Sequence, residues 1–122
     1  MLPFSELVQR WASISQVPIY VGSVPEGTLT PYASLNVLQS NPVRLSSNTI
    51  AYTESLMHLV IVADKLVDAQ ALGQQGLDAF DKFANAKILD CVYMNQAFEY
   101  SDRPGLSGNR PWSSIQEFRI RN

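Results

Sequence analysis

The sequence predicts an α+β fold, with a mixed, largely antiparallel sheet of about five strands and two helices packed on it. Three observations predict it. Two stretches repeat apolar residues at spacings of three and four, the stripe of an amphipathic helix. Other stretches alternate, or run continuously apolar, and are rich in Val, Ile, Tyr and Phe, as strands are. Their order along the chain is helix, three strands, helix, two strands, with Pro, Gly, Asn and Ser between them.

The first helix is expected over residues 3–14. Phe4, Leu7, Val8, Trp11 and Ile14 fall on one side, Pro3 suits a first turn, and Pro18 lies beyond the end. Residues 18–22 form a short β-prone run, and Pro25-Glu26-Gly27 reads as a turn. Residues 32–39 alternate, with Ala33, Leu35 and Val37 opposite Ser34 and Asn36, which predicts a strand with one solvated face. Residues 40–49, rich in Ser and Asn and carrying Arg44 and Leu45, are expected to be a polar loop or long hairpin connection.

Residues 54–63 make the strongest strand, with Leu56, Val60 and Val62 on one face and Met57, Leu59 and Ile61 on the other. A run apolar on both faces belongs at the centre of a sheet, covered on both sides or covered once by a partner subunit. Asp64 is placed to cap a second helix over 65–84, whose apolar side holds Leu66, Ala69, Leu72, Gly73, Gly76, Leu77 and Phe80. Each glycine lowers helix stability by about 1 kcal/mol relative to Ala, so their place on the stripe predicts a close approach to the sheet. A fourth strand is expected over 88–100, with Val92, Met94 and Phe98 on one face and Leu89, Cys91, Tyr93 and Ala97 on the other. A loop over 102–111 leads to a last strand at 112–121, with Trp112, Phe118 and Ile120 opposite Glu117, Arg119 and Arg121.

Composition narrows the function. A length of 122 residues fits one domain, because splitting usually needs ~250. With 46% apolar and 16% charged residues, a disordered tail and a coiled coil are both excluded. Nine Lys and Arg against eleven Asp and Glu leave no basic excess to hold a phosphate backbone. The longest apolar run, residues 59–63, is far below the ~20 needed to span a bilayer, so no membrane is expected. The opening Met1-Leu2-Pro3, with Glu6 behind it, lacks a signal pattern, and synthesis in a reducing cytoplasm is expected. One cysteine excludes an internal disulfide and a cysteine-based metal cluster.

Reactive groups are sparse. His58 is the sole histidine and falls mid-strand; as a general base or ligand it lacks a local partner, because Ser55 points to the opposite face. Cys91 sits among apolar residues with only Lys87 near it, the setting of an inert thiol. Asp64 with Asp68, and Asp78 with Asp81, share helix sides, yet a solvated outer face accounts for them, and no metal or cofactor is expected. Gly105-Leu106-Ser107-Gly108 lacks the lysine and setting of a phosphate loop. The one charge asymmetry is near the end, where Arg103, Arg110, Arg119 and Arg121 meet only Asp102 and Glu117. That is either a docking face for an acidic partner or a solvated edge strand guarded by charge. Leu45, Leu106 and Tyr52 are loop apolars that point to contacts beyond the monomer.

These elements in this order resemble a known family. A short helix precedes the pattern I-Y-x-G-x-x-P-E-G at residues 19–27; Pro31-Tyr32-Ala33-Ser34-Leu35 follows, then a strand ending Val62-Ala63-Asp64, a helix, and a terminal Phe118-Arg119-Ile120-Arg121. The chain is similar over nearly its whole length to the tail terminator, or tail completion, proteins of long-tailed bacteriophages. The resemblance implies a non-enzymatic virion protein of the tail or neck, forming a hexameric ring on the tail tube. Such a ring ends tube polymerisation and offers the joining surface for the head connector or a neck protein. DNA would pass through the lumen without being read, which agrees with the absence of a basic stripe. The family supplies no catalytic residue to carry over.

Two readings follow. In the first, a ring joined by unlike surfaces uses the 40–49 loop, the 102–111 loop and the last strand, with Arg44, Leu45, Arg103, Arg110, Arg119 and Arg121 as candidate contacts. Another neck protein, a head-completion or connector-adaptor protein, is its near neighbour. In the second, a small α+β ligand-binding domain or enzyme uses His58 in a pocket.

Overall fold

A computed structural model describes residues 2–101, 108 and 110–122. Seven elements follow in order: α1 (Phe4–Ile14), β1 (Ile19–Val21), β2 (Tyr32–Arg44), β3 (Ile50–Ala63), α2 (Leu66–Phe80), β4 (Asp90–Tyr100) and β5 (Trp112–Arg121). The strands form one sheet in the order β1-β2-β3-β5-β4. β1 runs parallel to β2 and every other pairing is antiparallel, so the expected α+β fold with its mixed sheet is what forms. The expected 102–111 loop, with Arg103 and Leu106, lies outside the described residues except at Gly108, Arg110 and Pro111.

The core lies between the two helices and one face of the sheet. Leu7 and Trp11, one turn apart on α1, are buried together with Ala33, Leu35, Met57, Leu59, Ile61, Phe80, Phe118 and Ile120. Trp11 stacks on Phe80 at 6.3 Å, and Phe80 meets Phe118 edge-on at 5.8 Å, the offset arrangements aromatic rings favour. The Trp11 indole N–H donates to the Val17 carbonyl at 2.7 Å, so the ring is buried without leaving its donor unpaired. Gly73 and Gly76 are buried on the sheet side of α2, as their place on the stripe predicts. A Cβ on Gly76 would collide with the Gln116 side chain and lie 2.8 Å from Leu59 Cδ2.

Five expectations are corrected. The first half of the polar segment 40–49 is strand: β2 pairs with β3 as far as Arg44 opposite Ile50, leaving five residues as the connection. Both faces of this outer hairpin meet water, so no apolar alternation marks it, and a bulge between Val37 and Gln39 breaks the phase. Pro42 is tolerated because β1 pairs with β2 only at residues 33–35, which leaves that edge without a strand.

The second helix stops at Phe80 instead of residue 84. Asp81 is extended, Lys82 has φ of 64°, and the Lys82 N–H donates to the Cys91 carbonyl, so the chain leaves the helix to join β4. Nor does Asp64 cap the helix. Lys65 holds the cap position without a side-chain bond, and the Asp64 carboxylate accepts the Thr30 hydroxyl at 2.6 Å.

On β4 a bulge between Tyr93 and Asn95 shifts the pairing by one residue. Phe98, opposite the buried Ser114, therefore shares the helix-covered face with Cys91 and Tyr93, and not the face of Val92. Finally, β5 is not an edge strand. It lies between β3 and β4, and the edges are β1 and β4. Its buried Ser114 and Gln116 resemble solvent-facing residues in the sequence, but they bond to Gln96, and Gln116 also donates to the Gly73 carbonyl at 2.5 Å.

Candidate assembly surface

Both helices pack on one face of the sheet, which leaves the other face open. Because side chains alternate along a strand, the open face holds Leu56, His58, Val60 and Val62 of β3 beside Ile115, Glu117, Arg119 and Arg121 of β5. β3 is thus apolar on both faces, as expected of a central strand, while only one of them is covered within the chain.

The arginine candidates separate into two groups. Trp112 pairs with Ala63 at one end of the β3–β5 ladder and Arg121 with Glu54 at the other, roughly 30 Å apart at the usual strand rise. Arg119 and Arg121 lie at the hairpin end, with Arg44 and Leu45 further out. Arg110 lies at the opposite end, in a cleft of about 410 Å³ with Asp64, Lys65, Leu66, Tyr100 and Trp112. Tyr100 and Trp112 pack there at 4.7 Å.

Beyond the reciprocal Thr53–Asn122 backbone bonds, β2 and β3 continue as a two-stranded arm. Its turn is closed by the Leu45 N–H to the Thr49 carbonyl at 2.8 Å and by Asn48 at φ of 65°. Arg44 donates to the Asn48 carbonyl at 3.0 Å, so this arginine ties its own turn. The apolar tip is presented instead: Leu45 is 56% exposed and Ile50 51%.

Arg121 is also engaged within the chain. Its Nε lies 3.4 Å from Glu54, its Nη1 3.5 Å from Asp90, and its guanidinium sits over the Tyr52 ring at 5.5 Å. It holds β3, β5 and β4 together. Arg119, two residues earlier, differs: its Nε is shielded from water and has no hydrogen-bond partner among the described residues. Its side chain lines an open-face cleft of about 280 Å³ with Gln39, Asn41, Glu54, Leu56 and Met94. Nothing in the sequence separates the two arginines, because the partners of Arg121 come from distant strands.

The remaining reactive residues do not converge. His58 is half-buried on the open face, paired across the strands with Asn36 and Glu117, and lines none of the three clefts described here. Ser55, fully buried on the opposite face, bonds to Ser40 at 2.9 Å. Burial, reinforced by Asp81 and Asp90, pushes the Cys91 thiol up to about 12, so it stays protonated at neutral pH. Asp64 and Asp68 share an apolar-walled cleft of about 300 Å³ with Pro31, Ala63, Ala71 and Leu72. Asp78 accepts from Gln74, and Asp81 from the Tyr93 N–H. Among the described residues, no three His, Cys, Asp or Glu side chains are placed to hold a metal ion. No described helix is long and apolar enough to cross a membrane.

No protein-family model matches the chain. No curated protein matches it either. Solved structures do match in fold. One is a chain of the virion of a native gene transfer agent particle, with a TM-score of 0.57 and 13% sequence identity. The match covers 95% of this chain and 92% of that one, so the likeness takes in the whole arrangement of helices and sheet.

Proposed function

We propose that this chain is a structural protein of a phage-like virion, and that copies of it close into a ring that caps the tail tube. The observation that carries the reading is the nearly full-length likeness in fold to a chain of a gene transfer agent virion. The order of sequence elements that resembles tail terminator proteins gives the finer role: ending tube polymerisation and offering a surface to the head connector or another neck protein. An open sheet face and an arm tipped by exposed Leu45 and Ile50 suit a subunit whose contacts are completed by neighbours. On this reading the protein works by shape and contact, without catalysis, and DNA passes through the lumen unread.

The test is negative-stain microscopy of the purified protein across a concentration and salt series, with and without purified tail tubes. Six-fold rings with a centre wide enough for a duplex, or capped tube ends, are the expected result. Monomers throughout, with bare tubes, would overturn the proposal. Rings that bind a head portal but not a tube would assign the chain to another neck position.

A further inference from the structure

On the open face, no acid lies within ion-pair distance of Arg119 among the described residues. Glu54 and Asp90 hold Arg121, and Glu117 accepts the Asn95 amide at 2.9 Å. The Arg119 Nε is shielded from water with no acceptor, but the side chain as a whole is only half-buried and lines the cleft, so its unpaired charge is open to a partner there. Beside it, Met94 is 48% exposed at the β4 bulge, and Leu56 adds a second apolar wall. The cleft thus sets the Arg119 side chain beside apolar Leu56 and Met94. It fits a carboxylate followed closely by an aliphatic side chain.

The chain presents that pair elsewhere. In the connection from β1 to β2, Thr28 bonds to the Pro25 carbonyl through both its N–H (3.3 Å) and its hydroxyl (2.6 Å), and Gly27 has φ of 82°. The resulting turn exposes Glu26, which forms no ion pair among the described residues, and Leu29. At 71%, Leu29 is more exposed than any other large apolar side chain among the described residues. A turn that is already formed loses little conformational freedom on docking.

We propose that the Arg119 cleft receives the 26–29 turn of a neighbouring copy, with Glu26 on the Arg119 guanidinium and Leu29 against Met94. The turn belongs to the β1 edge, and Arg119 lies three strand spacings away on β5, about 14 Å across the sheet. Two different surfaces of one chain therefore meet head to tail, the kind of contact that closes into a ring when the rotation between copies allows it. This contact rests on the ring reading above and names its joint.

The test is a charge swap followed by analytical ultracentrifugation at low salt. Glu26→Arg and Arg119→Glu are each expected to weaken self-association at least ~30-fold, as losing one partner of a shielded ion pair does. The double variant, with the charges exchanged, is expected to regain most of it. Thermal melting checks folding, and Arg119→Gln replaces Arg119→Glu if the latter melts low. Single variants that assemble like the unaltered protein, or a swap no better than the singles, would overturn the contact and leave the ring standing. Unaltered protein that stays monomeric in solution and on tubes would overturn the ring reading, and this contact with it.

Discussion

The two faces of the sheet are built from the same strands and differ in what covers them. On β3, Met57, Leu59 and Ile61 are fully buried beneath the helices, while Leu56, His58 and Val60, one residue out of phase, remain half-buried on the open side. The covered face is closed by aromatic packing around Phe80, and its buried Ser55, Ser114 and Gln116 side chains bond inside, the Gln116 Oε1 alone of their atoms having no partner among the described residues. The open face mixes Val and Ile with His, Glu and Arg, and the Nε of Arg119 lacks an acceptor among the described residues. The difference separates two tasks carried by alternate residues of one strand: one face holds the fold, and the other is left for contact.

The largest effect should come from cutting into the covered face. Phe80→Ala removes the ring that joins Trp11 and Phe118 and should destabilise the chain by about 3–5 kcal/mol, measured by denaturant unfolding. Val60→Thr on the open face should stay within about 1 kcal/mol. Equal losses at the two positions would break the comparison.

A sharper probe is the helix contact. Gly76→Ala should destabilise by about 2 kcal/mol despite the better helix propensity, because fully buried Leu59 cannot move aside. Gly73→Ala meets only the ends of the Gln96, Ser114 and Gln116 side chains and should lose less than half as much.

The most gradual effect is a dependence on pH. Cys91 on the covered face holds its proton up to about 12 against an ordinary 9.0, so the native state keeps a proton that the unfolded chain gives up. That contribution is complete below about pH 9 and is lost as the pH rises toward 12, by at most ~1.4 kcal/mol per unit. Unfolding midpoints between pH 8 and 11 should fall more steeply for the unaltered chain than for Cys91→Ala.

Where burial imposes a period, the sequence is legible. Phe4, Leu7 and Trp11 marked α1, Met57, Leu59 and Ile61 marked β3, and the last strand was placed at its observed bounds, 112–121. Where water touches both faces, as along the outer hairpin, no period arises, and half of a ten-residue segment that resembles a loop is part of the ladder. The bulges near Leu38 and Met94 reset the phase of β2 and β4 without a compositional mark, which sent Phe98 to the wrong face. The candidate site was legible as a set of arginines but not as a set of roles. Arg44 and Arg121 are held by their own chain, Arg119 is not, and Arg110 stands at the far end, because strand order and register decide which distant acid each one meets.

The insertion of β5 between β3 and β4 also bears on synthesis. β4 leaves the ribosome before the strand that will flank it exists, and β3 meanwhile has a neighbour on one side only. Until β5 arrives, the nascent chain holds two unfilled ladders with apolar residues on both, the condition in which strands pair with the wrong chain. The sheet is sealed in a single late event that joins segments far apart in sequence, a slow kind of closure. The order of manufacture thus makes the last-made strand the step at which the whole sheet becomes continuous.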